Sequence, residues 1–381
     1  MVKILFMVFH FPPISGGGVV VIVELANSLA KLGHDVTILT PKLKWDGPTY
    51  NPELNSKIKI IKIDTPSESN LKIAARRCFS NMKKSGIEIG KENKFDFILT
   101  IFHPFHFVPR AAVSCSKILK IPVIIKIDDA IYAKSKGLKS IQRKIEKIYN
   151  TKTLKNSTKI LVSNKITKNI INNFYHIPIQ NISIIPNGVD TSKYYTQNKI
   201  SNKIVFSGAM YHHRGLDVLL NAAPKIIRIN PKIKFILFGS GPELEKLKEF
   251  TQKNNLSDNV KFEGWVDRNK IPDYLSEANI GIGPLRSTEV TKGALPIKVL
   301  EYMASSLPII AIKNTLPEDI LKNNENGFSV KDENELVDKI LFLISNKNIR
   351  EKMGEKSKEM ILKFDWNNVS NSIIDEYKKI S

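Results

Sequence analysis

Cysteine is nearly missing from this chain. Cys78 and Cys115 are the two among 381 residues, too few for a disulfide framework or a thiolate metal site. A reducing cytoplasm fits that count. Long apolar runs are missing as well. The run after Lys3 is ended by His10, Pro12 and Pro13, which argues against a secretory signal. Val19–Val23 runs into Glu24 and Asn27, far short of the roughly 18 to 20 apolar residues of a membrane span. The chain therefore reads as soluble and cytoplasmic, or peripheral on the cytoplasmic membrane face. Acidic side chains are in deficit, 37 against 58 Lys and Arg, for a net charge of +21. Residues 1–190 carry +16 of that and the remainder +5. Such an asymmetry points to an anionic surface or to a biased composition. No RNA-reading aromatic signature accompanies the lysines, so nucleic acid is not an expected partner.

What is present is an ordinary globular composition, 42% hydrophobic and 25% charged. The length predicts two to three domains at roughly 150 residues each. Short apolar runs recur at helix-length intervals: Lys3–Phe9, Asp35–Thr40, Ile58–Ile63, Phe97–Ile101, Val123–Ile127, Ile160–Ser163 and Ile182–Ile185. Val19–Leu32 has helical spacing and is closed by Gly33. The pattern restarts near residue 203, with strands at Ile204–Ser207, Lys234–Phe238, Val260–Glu263, Ile280–Ile282 and Pro308–Ala311. Helices are expected at Gly215–Ile229, Pro242–Asn254, Ile271–Ala278 and Pro296–Ser305. This predicts an α/β protein of two doubly wound Rossmann-like domains facing across a cleft. The domains would be 1–195 and 196–365, with a final helix, 366–381, returning to the first. The polar stretch Thr191–Asn202 is the expected linker. Asp365 is placed to cap the last helix, whose stripe is Val369, Ile373, Ile374 and Tyr377.

Several strand ends carry residues suited to chemistry. Gly16-Gly17-Gly18 follows the first strand and opens a helix, where backbone N–H groups can meet an anion. The loop is neither a dinucleotide fingerprint nor a P-loop. Phe206-Ser207-Gly208 and Phe238-Gly239-Ser240-Gly241-Pro242 repeat the strand-to-glycine-turn pattern. Arg214 precedes a helix, where a guanidinium can reach a phosphate bidentately. Gly293-Ala294-Leu295-Pro296 enters a helix carrying Lys298 and Glu301. His103 and His106 follow one strand, and Asp128-Asp129 another. One of the two aspartates is a candidate base for an acceptor hydroxyl. His212-His213 is discounted as a metal pair, because adjacent histidines rarely share a metal face.

Together these motifs resemble the GT-B glycosyltransferases of the retaining family 4, also called glycosyl transferases group 1. The resemblance spans essentially the whole chain. It is carried by Gly16–Gly18, Ile185-Pro186-Asn187-Gly188-Val189-Asp190, Phe206-Ser207-Gly208, Gly239-Ser240-Gly241-Pro242, Val260–Val266 and, most specifically, Leu295–Ala304. It implies transfer of a sugar from a nucleotide-diphosphate-sugar to a hydroxyl acceptor, a lipid-linked or cell-surface glycan, without a metal or bound cofactor. The C-terminal domain would bind the donor through Gly208, Gly239, Gly241, Val266, Ala294, Leu295, Pro296 and Glu301, the last on the ribose. Arg214 and Lys298 would take up charge on the departing diphosphate, as catalytic residues with Asp128. Gly16, Gly17, Gly18, His103 and His106 would line the acceptor or diphosphate side. The chain departs from the family pattern at Gly293, where a first glutamate is usual, at Ala209, where an arginine is usual, and at Asp128, which stands where a histidine often does.

Two other readings stay open: a sugar-nucleotide epimerase of the same shape, and a non-catalytic basic binding module. Residues 134–159 hold nine basic side chains against Glu146 alone. Leu138, Ile141, Ile145, Ile148 and Tyr149 form an apolar stripe within them. That stripe either faces a core or lies on an anionic membrane surface.

Overall fold

A computed structural model describes the chain apart from residues 66–68, 129–137, 198–201, 289–290 and 292–294, and the side chains of residues 72, 138–140 and 142. Two compact units divide it. The first is Met1–Gly188 with Trp366–Ser381, and the second is Val189–Asp365. The units part at Gly188, seven residues before the boundary expected from the sequence.

The first unit is built on seven parallel strands: β1 (Lys3–Met7), β2 (Asp35–Pro41), β3 (Lys59–Ile63), β4 (Phe97–Ile101), β5 (Val123–Ile127), β6 (Lys159–Val162) and β7 (Ile182–Ile184). Their order is β3-β2-β1-β4-β5-β6-β7. β1, β4 and β5 are almost entirely buried, which is why they read as near-continuous apolar runs rather than alternating ones. The chain reverses its direction of winding between β1 and β4. In a doubly wound sheet ligands gather at the carboxyl ends of the strands on either side of that point.

Helix Gly17–Lys31 starts two residues earlier than its apolar spacing suggests, with Gly16 as its cap. Helix Phe79–Asn93 escaped the sequence reading. Its apolar content is low, and it meets helix Val108–Leu119 through glycines: a Cβ at Gly86 would lie 2.8 Å from Cys115 Sγ. Helix Trp366–Lys378 packs on this unit through Val369, Ile373 and Ile374, all buried. Tyr377 stacks on Phe97, and Ser370 Oγ donates to Ser28 Oγ at 2.8 Å. Ser183 Oγ and Lys159 Nζ meet Glu376 Oε2 at 2.7 and 3.1 Å.

The second unit repeats the plan with six parallel strands: β8 (Lys203–Ser207), β9 (Lys234–Phe238), β10 (Val260–Gly264), β11 (Ile280–Ile282), β12 (Ile309–Ile312) and β13 (Gly327–Val330). The order is β10-β9-β8-β11-β12-β13, so winding reverses between β8 and β11. Helices Leu216–Ile229 and Glu333–Ser345 bury Leu219, Ala223, Leu336 and Ile340 in the core on one side of the sheet. Helix Ile297–Ala304 buries Val299, Leu300 and Met303 in the other.

Helix Leu138–Lys155 turns its expected stripe outward. Ile141, Ile145, Ile148 and Tyr149 are 56, 49, 68 and 41% exposed. Its inner face is Asn150, Thr153 and Leu154. The core-facing alternative for Ile141, Ile145, Ile148 and Tyr149 is thereby corrected. Leu138 and Lys139 have side chains outside the described residues. No helix among the described residues is long and apolar enough to cross a membrane.

Candidate active site

In the second unit the strand ends are tied together by glycine. Gly208 N donates to Phe238 O at 3.0 Å, Gly239 N to Gly264 O at 2.6 Å, and Met210 N to Ser240 O at 2.9 Å. Gly239 has φ 120°, and a Cβ there would lie 2.1 Å from the Gly208 carbonyl oxygen. Only glycine permits both. Around Gly241, Met210 backbone atoms come within 2.7 Å of the corresponding position. The predicted glycines Gly208, Gly239 and Gly241 thus form one tight layer at the carboxyl ends of β8 and β9.

Helix Ile297–Ala304 lies beside this layer. Pro296 precedes its first residue, and Leu295 before that is buried. Tyr302 Oη accepts a hydrogen bond from Ser207 N at 2.7 Å, which fixes the helix to the end of β8. Lys298 comes within 3.8 Å of the Cβ position of Gly208. Its ammonium is buried, has no hydrogen-bond partner among the described residues, and sits 3.3 Å from the Phe206 ring centroid. Burial, and then the Arg214 guanidinium, push its pKa well below the ordinary lysine value, while Glu301 opposes them. Arg214 is half-buried in the turn His212–Arg214, ahead of helix Leu216–Ile229, and its carbonyl accepts from Leu285 N at 3.1 Å.

Glu301 is 2% exposed, and Arg268 donates to its carboxylate. The sequence reading missed Arg268, which stands two residues after Val266 in a stretch that looks like solvated turn. Val266 itself is half-buried just beyond β10. Ala294 and the departure at Gly293 lie outside the described residues. So the second unit brings Gly208, Gly239, Lys298, Arg214 and Glu301 into one neighbourhood: a buried cation, a second cation that influences it, a buried carboxylate, and backbone bared by glycine.

In the first unit, candidate residues collect at the carboxyl ends of β1, β4 and β5. Gly16, Gly17 and Gly18 are exposed, and a Cβ at Gly16 or Gly18 would meet nothing within 4 Å. Asp128 follows β5 and is paired with Lys126, a wholly buried lysine that also donates to Asn187 Oδ1 at 2.5 Å. Residues two apart on a strand share a face, and the ammonium needs an anion at that depth. The charge inside the apolar run Val123–Ile127 was the signal for Lys126. Asp129 lies outside the described residues. His103 and His106 are stacked with ring centroids 4.2 Å apart, and His10, read from the sequence only as ending the first apolar run, lies edge-on to His106 at 4.9 Å. No group of three or more His, Cys, Asp or Glu among the described residues is arranged to hold a metal ion.

A doubled, doubly wound plan with glycine-layered strand ends and a Pro-x-Lys-x-x-Glu helix defines a class. Residues 191–360 match the model described as Glycosyl transferases group 1, and residues 15–193 match Glycosyltransferase Family 4. The chain belongs to these GT-B glycosyltransferases and is an enzyme of that class. An uncharacterized glycosyltransferase of Methanocaldococcus jannaschii is 23% identical over 99% of this chain and 98% of its own. The alpha-monoglucosyldiacylglycerol synthase of Streptococcus pneumoniae is 24% identical over 88% of this chain and 77% of its own. The structure of Anabaena HepE in complex with UDP and glucose superposes with a TM-score of 0.77 at 13% identity, covering 100% of both chains. Solved neighbours include WaaG, a glycosyltransferase involved in lipopolysaccharide biosynthesis.

Proposed function

We propose that this glycosyltransferase moves a sugar from a nucleoside-diphosphate sugar, with retention, to a hydroxyl of a lipid-linked or cell-envelope glycan acceptor. The observation that carries the donor assignment is Lys298. A buried ammonium with no oxygen partner among the described residues is costly, and a diphosphate oxygen beside Gly208 would relieve it. The solved relative that binds UDP and glucose supports the same donor class. As the sugar–phosphate bond breaks, negative charge builds on the leaving diphosphate. Lys298, Arg214 and the N–H groups opening helix Ile297–Ala304 are fixed donors for that charge, each worth about 3 kcal/mol in typical cases. Glu301, held by Arg268, accepts from the ribose diol with its remaining lone pairs. On the acceptor side, Gly16–Gly18 leave room for the ligand. Asp128 has one oxygen engaged by Lys126 and uses the other to orient the attacking hydroxyl.

The relative named for a glucosyldiacylglycerol product supports a lipid acceptor. So does helix Leu138–Lys155, whose isoleucines point outward among the exposed Lys144, Lys152 and Lys155. Its acidic residue, Glu146, is bonded to Arg76 at 3.1 Å. An apolar stripe flanked by lysines suits the interface of an anionic bilayer. We assign the enzyme to the cytoplasmic membrane face on this ground.

The test is incubation with a panel of nucleotide-sugars, following free nucleoside diphosphate and the identity of the sugar. Slow diphosphate release, accelerated by an acceptor extract, is the expected result. Conversion of the sugar while it stays attached to the nucleotide would establish the epimerase reading. Binding with neither reaction would establish a non-catalytic module.

A further inference from the structure

His10 and the pair His103 and His106 leave adjacent strands, β1 and β4, at the winding reversal of the first unit. This is the place where a doubly wound sheet receives a ligand. The three imidazoles meet there with Phe9, whose ring centroid is 4.4 Å from that of His106 and 4.7 Å from that of His10. Phe105, 37% exposed, stands 5.4 Å from His103. Each histidine is partly open to solvent. The rings are stacked or edge-on, and they are not among any group arranged to hold a metal in the described residues.

Charge separates this cluster from the second unit's site. None of the three rings is ion-paired or hydrogen-bonded to a carboxylate among the described residues. Burial, reinforced by repulsion from His103, lowers the His10 pKa to about 4. Burial lowers that of His103, and burial with repulsion from His103 and His10 lowers that of His106 further. Near neutral pH the cluster is uncharged. A neutral imidazole offers one N–H donor, one nitrogen acceptor and an aromatic face. Three of them, backed by the buried Phe9 and flanked by the exposed Phe105, present flat apolar surface with donors and acceptors around it. A pyranose has the complementary form: C–H faces that stack, and hydroxyls that both give and take hydrogen bonds. A phosphate is held best by cations, and among the described residues no Lys or Arg acts on these three rings.

We propose that His10, His103 and His106, with Phe9 and Phe105, form a subsite for an uncharged sugar or polyol unit of the acceptor, not for its phosphate. This rests on the acceptor assignment of the first unit and narrows it to a chemical class. The subsite selects which residue of the acceptor is glycosylated. Anionic parts of a lipid-linked acceptor lie outside it.

The experiment uses the full chain with its seven histidines labelled with carbon-13, assigned by single His→Phe substitutions at 10, 103 and 106. The probes are methyl glycosides of neutral hexoses and hexosamides, and separately inorganic phosphate. At least one glycoside should shift all three imidazole resonances with saturation in the ~1–50 mM range of a single weak subsite. Phosphate should leave them in place. His106→Phe keeps the ring but removes its nitrogens, and should abolish saturation while the melting temperature holds. Phosphate moving the three resonances as far as any glycoside would overturn the proposal, and so would the absence of any shift at roughly 100 mM glycoside. The same samples are assayed for diphosphate release from nucleotide-sugars. Release without glycoside binding refutes the subsite alone. Glycoside binding without release refutes the transferase reading and leaves the subsite standing.

Discussion

Arg268 reaches the carboxylate of Glu301, which is 98% withdrawn from solvent. The carboxylate is therefore oriented and partly satisfied before any ribose arrives. Glu301→Gln keeps the shape and one acceptor oxygen but loses the charge. It should weaken nucleoside-diphosphate binding about 10- to 100-fold, the worth of a charge-assisted hydrogen bond. Isothermal calorimetry against wild type checks this. An unchanged affinity would remove Glu301 from the donor site.

Lys298 trades stability for function. Replacing it with methionine removes a buried cation that has no hydrogen-bond partner among the described residues, and keeps the packing on Phe206. Lys298→Met should melt at the same temperature as wild type or higher, and should turn over about 100-fold more slowly. The loss should fall on kcat rather than KM, because the ammonium matters most as the diphosphate leaves. Melting scans and steady-state kinetics on one preparation test both halves.

Gly239→Ala should be severe. The new methyl would overlap the Gly208 carbonyl at 2.1 Å on a backbone at φ 120°. A loss of at least about 2 kcal/mol is expected from overpacking and strain together, measured by urea unfolding. Recovery of a wild-type midpoint would show that the strand ends can part.

Ile145→Asp with Ile148→Asp places two charges on the outward face of helix Leu138–Lys155. Sedimentation with vesicles containing anionic lipid should be lost at every salt concentration. Neutralising Lys144, Lys147, Arg143 and Lys139 should instead reduce it mainly at low salt, because each basic residue adds about 1 kcal/mol near such a surface. Wild-type sedimentation that is equal on neutral and anionic vesicles, or missing at low salt, would refute membrane docking.

Acid should release the last helix. Burial opposes ionisation of Glu376, but hydrogen bonds from Lys379, Ser183 and Lys159 outweigh it and hold the pKa at about 2 against an ordinary 4.5. A carboxyl lowered on folding contributes stability that is present above its unfolded pKa and is lost as pH falls through the folded one. Protection of the 366–378 amides against hydrogen exchange should therefore fall between about pH 4.5 and 2 in wild type. Glu376→Gln should already lack that pH dependence.

Much of the architecture was written in local pattern. Strands buried on both faces are predominantly apolar, so β4, β5, β9 and β11 were legible to the residue. Glycine at Gly239 and Gly241 was legible for a similar reason, since a strand end pressed against its neighbour tolerates nothing larger, and Gly208 is held at φ 123°. Helix Phe79–Asn93 was not, because it is held by close approach at Gly86 and Gly90 rather than by an apolar stripe. Strand β13 was missed too, being four residues long and opened by glycine.

The site divides along the same line. Lys298 and Glu301 stood out because their helix is otherwise apolar, and a charge repeated in such a helix has to face something. Arg268, Lys126 and His10 acquired their meaning only from neighbours distant in the chain: Glu301 is 33 residues from Arg268, Asn187 is 61 from Lys126, and His106 comes from another strand than His10. The outward turn of Ile141, Ile145 and Ile148 belongs here as well. Periodicity specifies that a helix has an apolar stripe. Which side of the helix meets the protein is decided by what else packs there, and in this helix Asn150, Thr153 and Leu154 face inward.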